Sequence, residues 1–344
     1  MSSPPQVEYR RLGKSGLRVS VPIVGCMSFG SDKWAPWVLN EEKALPILKA
    51  AWDHGLTTWD TANIYSNGES ERIIGKAIKK YGIPRSKIVI MSKVAGLCHE
   101  DLGFSIAGMA QAMNTKEYVN TTGLSRQAIC QQVEASLKRL DTDYIDLLQI
   151  HRVDMNTSFE ETMCALNDLV RSGKVRYIGA SSMWTWQFAE YQKVAEKNGW
   201  VKFISMQNSY SLLYREEERE MNKYCDYTGV GLIPYRPLAG GELARPIDAT
   251  STRAEFFKKS EYAAESTDAD KEIITRVEKI AKEKGWKMSQ VAQAWIKTKV
   301  SSCIIGFTSL ARLEEAIISD KVLTEEKIKY LEEPYVPKAI VGHF

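Results

Sequence analysis

Four side chains in this sequence could move a proton together. Asp60 closes Leu56-Thr57-Thr58-Trp59, a short β-branched and aromatic run that reads as a buried strand. Tyr65 follows in a loop that enters the turn Ser66-Asn67-Gly68. Lys93 stands just past the apolar run 87–91, and His151 closes the run 144–150. A tyrosine titrates near ~10 when unperturbed, too high for easy acid–base work at neutral pH. An adjacent ammonium stabilises the phenolate and lowers that value, and a carboxylate holds the ammonium in place. Lys93 and Asp60 are the candidates for those parts. A turn-capping acid and a core aromatic would leave the same trace at positions 60 and 65, so that stretch alone does not decide.

These residues need a scaffold that brings distant strand ends to one place. Residues 9–20 read as a hairpin turning at Gly13-Lys14-Ser15-Gly16. Short apolar runs at 21–26, 56–60, 87–91, 144–150, 175–180, 201–206, 230–234 and 302–305 read as strands. Helices are expected between them: 42–54, from near Glu69, from a Ser125 cap, around Met163 to Gly173, through Phe188 to Gly199, 216–227, 272–284 and 289–299. Two more are expected near 310–319 and 324–330. The segments 97–123 and 238–270 are long, polar and irregular, the kind of loop that usually carries function.

Strand and helix thus alternate about eight times, with strands apolar enough for both faces of a parallel sheet. The predicted fold is an α/β (β/α)8 TIM barrel with an N-terminal β-hairpin, extra helices, and long loops at the C-terminal face, forming one domain over 1–344. An open doubly wound sheet would need a Gly-x-Gly-x-x-Gly turn after an early strand, and the sequence has none.

Composition is that of an ordinary soluble protein: 44% hydrophobic, 26% charged, net charge +3 over 344 residues. So small a charge gives no argument for nucleic acid or membrane partners. The charged run 215–220 reads most simply as a solvated helix face. Six cysteines without a Cys-x-x-Cys pair suggest reduced thiols, and four dispersed histidines offer no zinc motif, so no metal is expected. With no apolar leader or spanning segment, the cytoplasm is the expected location.

In such barrels chemistry sits at the carboxyl ends of the strands. The residues there are Gly25, Asp60, Lys93, His151, Ser181 with Ser182, Gln207, Tyr235 and Gly306. Any one of them could be a turn residue; the convergence of Asp, Tyr, Lys and His on one rim is harder to dismiss. At this point the chain resembles an aldo-keto reductase over essentially its whole length. The motifs are Trp59-Asp60-Thr61-Ala62 with Tyr65, Met91-Ser92-Lys93, Leu148-Gln149-Ile150-His151, Gly173-Lys174-Val175-Arg176-Tyr177-Ile178-Gly179, Gln207-Asn208-Ser209-Tyr210, and Pro234-Tyr235 with Pro237-Leu238-Ala239. Tyr65-Ser66-Asn67-Gly68 is similar to the fungal aryl-alcohol and aryl-aldehyde reductases.

The resemblance implies Tyr65 as acid, Lys93 and Asp60 as its tuners, and His151 as the group orienting the substrate oxygen. Carbonyl reduction needs hydride as well as a proton, and no side chain supplies hydride, so NADP(H) is the expected cofactor. Ser181, Ser182 and Gln207 match positions that hold the nicotinamide carboxamide, with Ser182 where many relatives have Asn. Tyr235 matches the aromatic that stacks on the ring. Gly25, Cys26, Met27, Asp60, Arg236, Pro237, Leu238 and Gly240 are also expected along the cofactor. The segment 306–312 precedes and opens a helix, a natural anion site, where Gly306, Thr308, Ser309, Arg312 and Glu315 match the adenosine-phosphate region. A cation there favours NADP over NAD.

Arg236 replaces a usual Ser; its guanidinium is expected either to reach the pyrophosphate or to pair with a nearby acid. Cys26 replaces a common Thr and is expected to be a buried, inert thiol. Met27, Phe29, Trp34, Tyr65, His151, the 97–123 loop and the C-terminal tail are expected to meet a small-molecule carbonyl substrate. The other readings that stay open are a non-catalytic nicotinamide-binding regulatory subunit of the same fold and a metal-dependent barrel hydrolase.

Overall fold

Short strands buried on both faces need partners on both edges, and closure into a barrel supplies them. The computed structural model describes residues 6–104, 108–249, 255–256 and 266–343. The N-terminal five residues, 105–107 of the first long loop and much of 250–265 in the second lie outside the described residues.

Strands β1 (Glu8–Arg11) and β2 (Arg18–Val21) form the expected antiparallel hairpin. Eight strands then make one parallel sheet: β3 (Ile23–Gly25), β4 (Thr58–Asp60), β5 (Val89–Val94), β6 (Ile145–Ile150), β7 (Val175–Ser181), β8 (Ser205–Gln207), β9 (Gly231–Leu232) and β10 (Ile304–Gly306). Their order is β10-β3-β4-β5-β6-β7-β8-β9. Beyond the ladders, Ile304 N donates to Pro234 O at 2.9 Å and Ser301 N to Leu232 O at 3.1 Å, which joins the two end strands. The fold is a (β/α)8 TIM-barrel-like sheet with its N-terminal hairpin.

Eleven helices are defined among the described residues: α1 (Glu41–Asp53), α2 (Glu69–Lys80), α3 (Met109–Ala112), α4 (Arg126–Leu140), α5 (Phe159–Arg171), α6 (Thr185–Asn198), α7 (Met221–Thr228), α8 (Asp268–Lys284), α9 (Met288–Ile296), α10 (Leu310–Glu315) and α11 (Glu325–Glu332). Their starts follow local chemistry. Ser125, Ser158 and Thr267 accept hydrogen bonds from Ala128 N, Glu161 N and Asp270 N, satisfying amides that the first helical turn leaves open. Gly199 and Gly285 end α6 and α8. None of the described helices is long and apolar enough to cross a membrane.

Three expectations need correcting. The strands foreseen at 201–206 and 230–234 become β8, shifted to 205–207, and β9, 231–232, because ladder pairing engages only those residues. The helix foreseen over 216–227 is broken into a 3-10 turn, Glu216–Glu218, and α7. Nor is the 215–220 run a solvated face. The Glu216 and Glu217 side chains are only 2% and 3% exposed, turned inward onto polar partners.

Candidate active site

Asp60 ends β4, and Lys93 lies on the neighbouring β5, two residues past Met91, the pairing partner of Asp60. The two-residue period of a strand puts residues 91 and 93 on the same face. Lys93 Nζ donates to Asp60 Oδ2 at 2.6 Å, to Thr61 O at 2.8 Å and to Tyr65 Oη at 3.3 Å. An ammonium has three N–H groups and no lone pair, so all three donors are committed. The Tyr65 oxygen therefore accepts from Lys93, which leaves its own proton free to point elsewhere.

The carboxylate is held from its other side. Asp60 Oδ1 accepts from both Gln149 Nε2 and Gln207 Nε2 at 3.1 Å, and Gln207 Nε2 also reaches Gln149 Oε1 at 2.8 Å. Gly179 makes room for this bridge, since a Cβ there would lie 3.2 Å from Gln149 Cγ and 2.2 Å from Ser205 Oγ. With Lys93 wholly enclosed and Asp60 almost so, the ion pair needs these extra donors to offset its desolvation.

Tyr65 opens a 3-10 turn whose next two residues, Ser66 and Asn67, hold left-handed backbone at φ 49° and 51°. Side-chain anchors compensate for that strain. Ser66 Oγ accepts from Ser31 N, and Asn67 Nδ2 donates to Asp101 O and Phe104 O at 3.0 Å while its Oδ1 accepts from His99 N. The turn carrying the phenol is thus tied to both the Met27–Trp37 region and the 97–104 part of the long loop. His151 stands edge-on to Tyr65, ring centroids 5.8 Å apart. The four candidate catalytic side chains are brought together.

Their protonation follows from the surroundings. Tyr65 and His151 keep part of their surface open, yet protein packs densely enough around both to penalise charge. Burial raises the Tyr65 phenol above its ordinary value of 10.0, and Lys93 offsets this only in part. That corrects the expectation of a net lowering: desolvation outweighs the neighbouring cation. Burial pushes Lys93 down, but Asp60 and Tyr65 together outweigh it and hold the ammonium above its usual 10.5. Burial, then Arg152 and Lys93, keep His151 well below 6.5. At neutral pH the site holds a protonated phenol, an ammonium and a neutral imidazole.

Ser181, Ser182, Gln207 and Tyr235 are linked at the same rim. Ser181 Oγ donates to Gln207 O at 2.7 Å, Ser182 N to Asn208 Oδ1 at 2.8 Å, and Ser182 Oγ to Tyr235 Oη at 3.3 Å. Gly25 and Gly306 pair across β3 and β10. Cys26 is fully buried and its thiol is pushed well up by burial, which suits an inert group. Pro237, Leu238 and Gly240 follow Tyr235 into the 3-10 segment Ala239–Ala244. Arg236 is exposed, with φ 58°. Arg312 Nη1 donates to Thr308 Oγ1 at 2.9 Å, and Ser309 caps α10. Glu315 is turned toward α9, where Ser289 Oγ donates to it. On the substrate side Met27 packs against Trp34 and Trp37, whereas Phe29 is fully enclosed in the main core.

Several residues at the site carry no role in the sequence reading. Gln149 was legible as an amide inside an otherwise apolar strand. Arg245 donates to Gly241 O and Gly240 O; Glu242 interacts with the charges of Arg236 and Arg245, and Arg245 also with that of Arg312. Asn208 was legible only as a motif residue without a role, and Glu217 and His343 had no local signal, because their meaning lies in contacts between distant segments. Among the described residues no group of three or more His, Cys, Asp or Glu is placed to hold a metal ion.

Comparison with known proteins agrees with this geometry. Residues 23–335 match the Aldo/keto reductase family. The chain belongs to that family. It is 56% identical to aldo-keto reductase dtxS3 of Metarhizium robertsii, over 99% of this chain and 94% of the relative. It is 51% identical to versiconal hemiacetal acetate reductase of Aspergillus parasiticus, over 97% of this chain and 98% of the relative. A putative aryl-alcohol dehydrogenase of Schizosaccharomyces pombe, C977.14c, is 50% identical over 99% of both. This aldo-keto reductase is an oxidoreductase acting on carbonyl groups, and its family generally uses NAD(P)H.

Proposed function

We propose that this aldo-keto reductase uses NADPH to reduce an aromatic or secondary-metabolite aldehyde or ketone to its alcohol, with Tyr65 as the proton donor. The observation that carries the reading is the Lys93 ammonium, whose three donors leave the Tyr65 proton aimed away from it. NADPH, when bound, supplies hydride to the carbonyl carbon. Tyr65 gives its proton to the carbonyl oxygen, so the C=O π bond becomes a C–H and an O–H. Lys93, held by Asp60, Gln149 and Gln207, stabilises the phenolate left behind. Neutral His151, beside the phenol, orients the substrate oxygen.

The donor set suits the cofactor. Gln207 spends its amide nitrogen on Asp60 and Gln149, which leaves its oxygen to accept from a carboxamide NH2. Ser181 and Ser182 add hydroxyls at the same rim, and Tyr235 adds an aromatic face. Arg236, Arg245 and Arg312 offer positive charge to phosphates. If Arg236 serves the pyrophosphate, Arg236→Ser weakens NADPH binding; unchanged affinity would leave the guanidinium to Glu242. For the substrate wall, support comes from the Met27, Trp34 and Trp37 cluster and from His99 stacked on Phe104 at 3.9 Å. The aryl-alcohol and hemiacetal acetate names among the relatives support the same reading.

The decisive experiment compares wild type with Tyr65→Phe, using para-nitrobenzaldehyde and NADPH. Turnover should fall by about 10²–10⁴-fold, the usual worth of a positioned acid. NADPH affinity should hold, since no cofactor contact is lost. Retained turnover in the variant would sink the assignment of the acid. NADPH binding by the wild type, with no turnover across a broad carbonyl panel, would favour a regulatory subunit instead.

A further inference from the structure

The buried glutamate that the sequence placed on a solvated face lies between two functional segments. Glu217 Oε2 accepts from Asn208 Nδ2 at 2.6 Å. Asn208 Oδ1 in turn accepts from Ser182 N, where the backbone turns left-handed at φ 48° just past β7. Ser182 reaches Tyr235 through its hydroxyl. The other carboxylate oxygen of Glu217 pairs with His343 Nε2 at 2.9 Å.

His343 belongs to the C-terminal tail, which crosses the same rim. Its ring packs edge-on against Trp184 at 5.0 Å, and a Cβ on Gly342 would lie 3.5 Å from Tyr235 Oη. The tail is strapped further back by Glu216, which accepts from Lys338 N and Tyr335 Oη at 2.7 Å, and by Tyr214 Oη, which accepts from Val341 N at 3.1 Å. The His343 side chain is only 6% exposed, and its Nδ1 has no hydrogen-bond partner among the described residues. A buried imidazole nitrogen of this kind costs free energy unless something polar meets it.

We propose that Glu217 is a positioning residue that couples the C-terminal tail to the nicotinamide end of the cofactor site. One carboxylate oxygen orients Asn208 and so fixes the strained Ser182; the other holds His343 over the mouth, with Nδ1 available to what lies beneath. The proposal rests on the NADPH reading above. A solvated glutamate could not do this, because water would compete for both oxygens; at 3% exposure the carboxylate depends on its contacts with Asn208 and His343. Loosening either end should therefore be felt at the other.

The test is equilibrium NADPH binding to the full chain, followed by tryptophan fluorescence, together with the NADPH dissociation rate. Glu217→Gln, His343→Ala and the double variant are compared with wild type. Each single change should weaken binding about tenfold, mainly through faster dissociation, as expected for one lost charge-assisted contact. The double variant should bind no more weakly than the worse single one, because both changes break one chain of contacts. Additive losses would show that the two residues act separately and overturn the coupling, as would wild-type affinity in both single variants. If Glu217→Gln fails to fold, His343→Ala with hydrogen exchange at residues 181–184 decides: faster exchange there supports the coupling, and unchanged exchange overturns it. Absence of NADPH binding by the wild-type chain would overturn the cofactor reading along with the proposal; wild-type binding with unaltered variants would overturn the proposal alone.

Discussion

Tyr65 is tuned by opposed effects, and their balance decides its protonation. The cation beside it favours phenolate, while burial favours the neutral phenol, and burial is the larger effect. In the proposed role a proton donor must carry its proton when the substrate arrives, so the raised value would suit reduction. The help from Lys93 would then come later, when the phenolate forms. His151 gives the pH prediction. Its folded-state value lies well below the ordinary 6.5, so below that pH the unfolded chain takes up a proton that the folded one refuses. Its contribution to stability is complete above the ordinary value and is lost as pH falls toward the folded value, by at most about 1.4 kcal/mol per pH unit. His151→Asn removes this contribution. Its urea midpoint should therefore decline less steeply than that of wild type between about pH 8 and about pH 5. Parallel declines would show a folded imidazole that protonates freely.

At the scale of elements, close packing is specified by particular backbones. Gly75 lies in α2, and a Cβ there would stand 2.6 Å from Leu140 O at the end of α4. Helix propensity alone would favour Ala over Gly by about 1 kcal/mol. The obstructing atom is backbone and cannot rotate away, and forcing extra volume into such a contact costs about 1–3 kcal/mol. Gly75→Ala should therefore lower the urea midpoint, and a raised midpoint would mean that α2 and α4 can separate at little cost. The turn after Tyr65 shows the same specification in polar form. Asn67 accepts strained backbone, and its amide organises the start of the long loop. The aromatic group of His99, Phe104 and Tyr118 is thereby placed on the side of the phenol.

Across the whole molecule, charge gathers where the chain is far apart in sequence. Arg236 follows β9, Arg245 ends a 3-10 segment, and Arg312 lies on α10, yet burial and the nearby Arg312 both hold Arg245 below its ordinary value. Glu242 offsets only part of this, and a further anion would offset more. If NADPH is the cofactor as proposed, its affinity should fall as salt is raised from about 0.05 M to about 0.5 M, because screening shortens the reach of these charges. Arg312→Ala should bind more weakly and show a shallower salt dependence. Equal salt dependence in the two proteins would place the phosphates elsewhere. All six cysteines are free thiols, so no covalent link adds to this architecture.

The alternation of apolar runs and capped helices, and the polar residue at each strand's end, were readable from local pattern. Side-chain period and helix capping are short-range physics, and they suffice to call a barrel and to bring Asp60, Tyr65, Lys93 and His151 to one rim. Strand lengths at β8 and β9 were not readable, because pairing depends on neighbours that the local pattern does not contain. The net direction of the Tyr65 shift was also beyond the sequence, since it turns on how much protein surrounds the phenol. So was the inward turn of Glu216 and Glu217. A carboxylate prefers water unless donors meet it inside, and those donors, on Asn208, Tyr335, Lys338 and His343, come from segments that only the closed barrel brings together.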